Sequence, residues 1–78
     1  MQSNISNTKP TRAEQETETE ARRLISQIEG ALAAVATHSD IDAEELEAYA
    51  DRLERAARDL IVALRELARE RRRERTDT

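Results

Sequence analysis

The 78-residue sequence has no cysteine and only one aromatic residue, one proline and one glycine. Without cysteine it can form neither a disulfide nor a thiolate metal site. Strands favour aromatic and β-branched residues, so this composition, with alanine as the commonest apolar residue, predicts an all-α fold. The sequence also lacks an apolar run long enough to cross a bilayer, and its first residues lack the hydrophobic stretch of a signal peptide. We therefore expect a cytoplasmic protein without a membrane partner.

The residues that catalysis requires are equally scarce. There is no cysteine nucleophile and no glycine-rich phosphate loop, and the lone histidine, His38, falls in a polar turn. Asp40, Asp42 and Glu45 lie near it, but their spacing does not fit a calcium loop, and zinc requires more nitrogen or sulfur ligands. We read these four residues as turn and capping residues. The sequence predicts no enzymatic activity, no cofactor and no metal site.

What the sequence does contain is two stretches with helical periodicity. Apolar residues recur at spacings of three and four from Ala21 to Val35 and from Leu46 to Leu67. Thr11 with Glu14, and Asp42 with Glu45, match the capping-box pattern that starts a helix. We predict helix 1 at about 12–37, a turn at 38–42 and helix 2 at about 43–74, together forming one hairpin domain at 11–75. Residues 1–10 are predicted to be a flexible arm, and residues 76–78 a frayed end.

The short turn predicts an antiparallel hairpin. Folding the chain about the Asp40–Ile41 junction places apolar residues opposite each other at every layer. The predicted pairs are Val35 with Leu46, Leu32 with Tyr49, Ile28 with Leu53, Ile25 with Ala56 and Ala21 with Leu60. The same fold brings the acidic start of helix 1 beside the arginine-rich end of helix 2.

One such seam buries too little apolar surface to offset the entropy of ordering both helices, so we expect a partner. Ile61 and Val62 make the run from Leu60 to Leu64 apolar on all sides of helix 2, while Gly30, Ala33 and Ala34 would let another helix approach closely. We predict that these five residues form the interface of a two-fold symmetric homodimer, a four-helix bundle. A further protein partner is also compatible with the sequence.

The segment from Asp42 to Glu45, followed by Leu53, Ala57, Leu60 and Leu64, resembles the second helix of the repressor-of-primer (Rop) family. The resemblance covers helix 2 and the turn. It implies a small helical hairpin that dimerises into a four-helix bundle. Rop proteins bind paired RNA loops through helix 1, using an aromatic side chain with basic or amide groups. Here helix 1 has no aromatic residue and presents Ser26, Gln27 and Glu29 outward, so the resemblance implies the fold more than the RNA binding.

The arginine-rich end of helix 2 is the one basic feature of a chain with net charge −4. Arg65, Arg69, Arg72 and Arg73 are candidates for anion or nucleic-acid contact. Glutamates interleave with them, however, and no aromatic residue is present to stack on bases. We therefore expect a non-enzymatic protein-interaction or regulatory module. The alternative is a Rop-like nucleic-acid-binding regulator that uses these arginines.

Overall fold

The computed structural model describes residues 9–76, which form two helices and, within that range, no strand. Helix α1 runs Arg12–Thr37 and helix α2 runs Ala43–Thr76. The all-α fold and the two-helix hairpin are therefore confirmed. Helix α1 has the bounds expected from the sequence, and α2 continues two residues beyond 74. Most of the predicted flexible arm (residues 1–8) and most of the predicted frayed end (residues 77–78) lie outside the described residues.

Side chains cap the start of both helices. At α1 the Glu14 N–H donates to the Thr11 hydroxyl (3.2 Å), and the Thr11 N–H donates to the Glu14 carboxylate (2.9 Å), which completes the capping box. At α2 the Glu45 N–H donates to Asp42 Oδ1 at 2.8 Å. These bonds occupy backbone donors that the first turn of a helix otherwise leaves unpaired.

The helices run antiparallel and are in contact along their length. At the open end the Thr11 hydroxyl donates to Glu70 Oε1 at 2.9 Å. Further along, Thr17 Oγ1 lies 3.3 Å from the Ala63 carbonyl oxygen. Near the turn, Gly30 lies against the Tyr49 ring. This pairing has the register expected from folding about the 40–41 junction.

The seam between the helices is made largely of small residues, and this corrects the predicted pairing. Ala56 and Ala63 of α2 are the buried apolar residues, with exposed fractions of 3% and 8%. The large residues Ile25, Ile28, Leu32 and Val35 remain 49–68% exposed. The α1 side of the seam instead contains the half-buried residues Ala13, Thr17, Ala21, Leu24, Gln27, Ala31 and Ala34. The predicted register is therefore right, but the helices are rotated so that the bulky side chains of α1 lie beside the seam.

Glu14 connects the start of α1 to the end of α2. Its carboxylate accepts the Thr11 N–H and also a hydrogen bond from Arg71 at 2.9 Å. The pKa of the Glu14 carboxyl is held below its ordinary value of about 4.5, chiefly by the hydrogen bond from the Thr11 N–H and secondly by the hydrogen bond from Arg71. Both contacts favour the ionised carboxylate.

We expect the contribution of Glu14 to folding to depend on pH. Because the folded-state pKa is depressed, the contribution is fully present above the ordinary value and is lost as the pH falls through the folded value. Amide hydrogen exchange at Thr11, Glu14 and Gln15, whose N–H groups are bonded at this helix start, should therefore accelerate as the pH falls below about 4.5, after correction for intrinsic rates. Glu14→Gln should exchange faster at neutral pH and lose this additional pH dependence. Identical pH profiles for the variant and the parent chain would contradict the assignment.

Candidate interaction surfaces

The two helices lie side by side, so the hairpin has two broad faces with the seam between them. The first, the apolar face, contains six large apolar residues that remain exposed: Ile25, Ile28, Leu32, Val35, Leu46 and Leu64. The α1 residues follow the 3-4-3 spacing of a single helical face. On α2 the half-buried Leu53 and Leu60 continue the row between Leu46 and Leu64. A continuous apolar surface therefore crosses both helices.

The second, the grooved face, contains shallow depressions between the helices. One, near the turn, has a volume of about 620 Å³ and is lined in part by Gly30, Ala33, Ala34 and Tyr49. Arg52 forms its edge, and its guanidinium carbon lies 4.7 Å from the centre of the Tyr49 ring. Gly30, Ala33 and Ala34, predicted as part of a dimer interface, thus lie on this face and near the turn.

The other two residues of the predicted interface lie farther from the turn, and of these two Val62 shares the grooved face. Val62 lines a separate depression of about 490 Å³ together with Glu16, Glu20, Asp59 and Glu66. Ile61 is exposed, and it is turned about 100° around the helix from Val62. The structure therefore does not bring the five predicted residues into one patch. The sequence analysis did not predict that Ile25, Ile28, Leu32 and Val35 are exposed, because their spacing is equally typical of residues buried in the seam.

The arginine-rich end of α2 is interleaved with carboxylates. Arg69 pairs with Glu66 at 2.9 Å, and Arg71 pairs with Glu14 across the hairpin at the same distance. Arg73 lines a depression that also contains Glu16, Glu66 and Glu70. Arg65 and Arg72 are exposed. The end of α2 is thus a mixed-charge surface.

Two further findings concern residues 9–76 alone. This part of the chain contains no group of three or more histidine, aspartate or glutamate side chains placed to hold a metal ion. Neither of its helices has an apolar stretch sufficient to span a bilayer.

We compared the chain with protein-family models, with curated proteins and with solved structures, and none of the three comparisons gave a match.

Gly30 provides a test of which face forms an interface. A Cβ added there would lie 4.0 Å from Tyr49 Cε1, an ordinary van der Waals contact, so packing within the hairpin does not require glycine. Glycine in a helix interior costs about 0.8–1.0 kcal/mol relative to alanine. We expect Gly30→Ala to stabilise the protein by about that amount in urea unfolding and to leave its oligomeric mass unchanged. If Gly30 instead lies at a tight helix interface, the substitution should destabilise the assembly.

Proposed function

We propose that this chain is a non-enzymatic interaction or regulatory module, a helical hairpin whose apolar face binds a second copy to form a four-helix bundle. The observation that supports this is the row of exposed isoleucine, leucine and valine side chains across both helices. Monomeric proteins rarely expose a continuous apolar patch of this kind, and such patches mark interaction sites. The resemblance of α2 to repressor-of-primer proteins is consistent with the same assembly.

The chemistry of the apolar face favours a second copy as its occupant. Its large residues alternate along α2 with small ones: Ala50 lies between Leu46 and Leu53, and Ala57 lies between Leu53 and Leu60. Two such faces related by two-fold symmetry can interdigitate, with the large residues of one copy over the alanines of the other. Pairing of the two faces would bury these exposed side chains between the two hairpins. Together with the seam residues of each hairpin, they would form the core of the four-helix bundle.

The distribution of bulk along the hairpin favours a dimer with the two turns at opposite ends. On α1 the large side chains from Ile25 to Val35 occupy only about 15 Å next to the turn. On α2 the row continues to Leu60 and Leu64, about 20–27 Å beyond Leu46, beside a part of α1 without exposed large apolar residues. With opposed turns, the Ile25–Val35 ridge of each copy covers Leu60 and Leu64 of the other. With the turns together, the two Ile25–Val35 ridges would crowd one half and leave the other half open.

Leu32 and Val62 form a matched pair for testing the face. They are 68% and 67% exposed, but Leu32 lies on the apolar face and Val62 on the grooved face. We expect Leu32→Lys to weaken dimerisation at least about tenfold, because each interface loses two buried leucines and gains two charges. Val62→Lys should leave the dimer intact. Sedimentation equilibrium of the parent chain and of both variants measures the dissociation constants.

Two results would refute this interface. One is a monomeric mass for the parent chain at about 100 μM. The other is an equal loss of dimer in the Val62→Lys and Leu32→Lys variants, because that would show a general effect of added charge.

Spin labels at the turn test the orientation of the two copies. The chain has no cysteine, so Ser39→Cys provides a single attachment point in each copy. Opposed turns place the two labels about 40–45 Å apart, whereas turns at the same end place them about 10–15 Å apart. Double electron–electron resonance should show the longer distance. A short distance would disprove the opposed arrangement while leaving the dimer itself in place.

Nucleic-acid binding through Arg65, Arg69, Arg72 and Arg73 is the alternative function. Phosphate contacts make affinity fall steeply with salt, so a gel shift with RNA and DNA at low salt tests it. Carboxylates lie beside Arg69, Arg71 and Arg73. They disfavour this function, because they compete with phosphate groups for the same guanidinium groups.

A further inference from the structure

Three arginines from both helices surround one depression on the grooved face. It has a volume of about 240 Å³ and is lined by Arg23 and Gln27 of α1 and by Arg52, Arg55, Ala56 and Asp59 of α2. Ala56 is nearly fully buried and forms its floor, since it lies at the seam. Four of the six lining residues carry side-chain hydrogen-bond donors, and three of those four carry a full positive charge.

The arginines differ in how far they are already engaged. Arg23 pairs with Glu20 at 3.0 Å, and Arg52 lies over the Tyr49 ring. Arg55 has no ion pair within 4.0 Å among residues 9–76, although Asp51 stands four residues before it. By contrast, Arg58 pairs with Glu54 at 2.7 Å at the same spacing. Within the part of the chain that the structure describes, Arg55 therefore presents to the depression a charged donor group that has no carboxylate within 4.0 Å.

We propose that this depression binds a single phosphate group. Guanidinium groups match the geometry of phosphate oxygens and donate two parallel hydrogen bonds to them. Here donors from both helices line the same depression, so a ligand with several oxygen atoms has more than one of them within the site. The proposal is independent of dimerisation, because the apolar face lies on the other side of the hairpin.

The surrounding charges limit the ligand to a compact one. Asp59 forms one edge of the depression, and beyond it the neighbouring depression is lined by Glu16, Glu20 and Glu66. A nucleic-acid strand that followed this face toward the open end would bring its next phosphates onto these carboxylates. One phosphate avoids that repulsion, whether it is free or carried as an ester on a partner protein.

The test is an NMR titration of the full-length chain with inorganic phosphate, with sodium chloride adjusted to keep the ionic strength constant. We expect saturable shifts concentrated at Arg23, Gln27, Arg52 and Arg55, with a dissociation constant of roughly 1–10 mM. Arg55→Gln should weaken binding about fivefold, because one charged contact is lost. Arg58→Gln is the matched control and should leave the affinity unchanged, since Arg58 belongs to a separate ion pair. Glutamine and arginine have similar helix propensity, so both variants should retain their helicity.

Other outcomes would overturn the proposal. These are shifts centred on Arg65–Arg73, shifts that do not saturate, or equal losses in the Arg55→Gln and Arg58→Gln variants. A single-stranded oligonucleotide that bound this depression far more tightly than phosphate would also overturn it in favour of nucleic acid.

A serine peptide with and without phosphate identifies the source of the bound phosphate group. Tighter binding of the phosphopeptide than of inorganic phosphate indicates a partner's phosphate ester, and equal or weaker binding indicates free phosphate.

Discussion

The close approach of two helices along small side chains determines how the rest of the hairpin is arranged. Thr17 Oγ1 comes within 3.3 Å of the Ala63 carbonyl oxygen, so at this level a side chain of one helix touches the backbone of the other. Such contact is possible only where alanines line the seam, as Ala56 and Ala63 do. A leucine or isoleucine in the same place would push the helices apart, with a typical overpacking cost of about 1–3 kcal/mol. Four of the five large apolar residues of α1 therefore lie beside the seam, with Leu24 half-buried in it, and the part of that face nearest the turn is apolar on both helices.

The sequence was sufficient for predicting the helices and their register, because those depend on local signals. Capping residues at Thr11 and Asp42 set where the helices start, and the short turn at 38–42 sets which residues lie level with each other. The sequence was not sufficient for predicting how each helix is rotated about its own axis. In α1 the neighbours Ala31 and Leu32, and likewise Ala34 and Val35, all fall within one apolar stripe. That stripe is about 100° wide or more, and a two-helix contact covers only part of it. Which part becomes the seam depends on the fit between both helices, so the exposed face could not be located from α1 alone.

Charge pairing shows a similar contrast between local and distant contacts. The acidic start of α1 was expected to pair with the arginines of α2, yet most of its carboxylates pair within α1. Glu16 bonds to Arg12, Glu18 to Arg22 and Glu20 to Arg23. Residues three or four apart on a helix are already neighbours, so such pairs require no ordering of a second element. Among residues 9–76, Glu14 to Arg71 is the ion pair that crosses the hairpin within 4.0 Å, and it lies beside the Thr11–Glu70 bond. The polar contacts between the helices thus concentrate at the open end, where α1 contributes only small apolar side chains.

The grooved face follows from the same rotation. Arg23 belongs to one helix, Arg52 and Arg55 to the other, and nothing in their sequence positions places them together. They line one depression because the register brings residue 23 near the level of residue 55, and because the rotation turns all three away from the apolar face. A dimer formed through the apolar faces would leave both grooved faces outward on opposite sides of the bundle. The symmetry that buries the isoleucines and leucines would therefore present two equal arginine-lined depressions, one from each copy. A dimer formed through one apolar interface would in this way have two identical phosphate sites, because each copy of the chain contributes one.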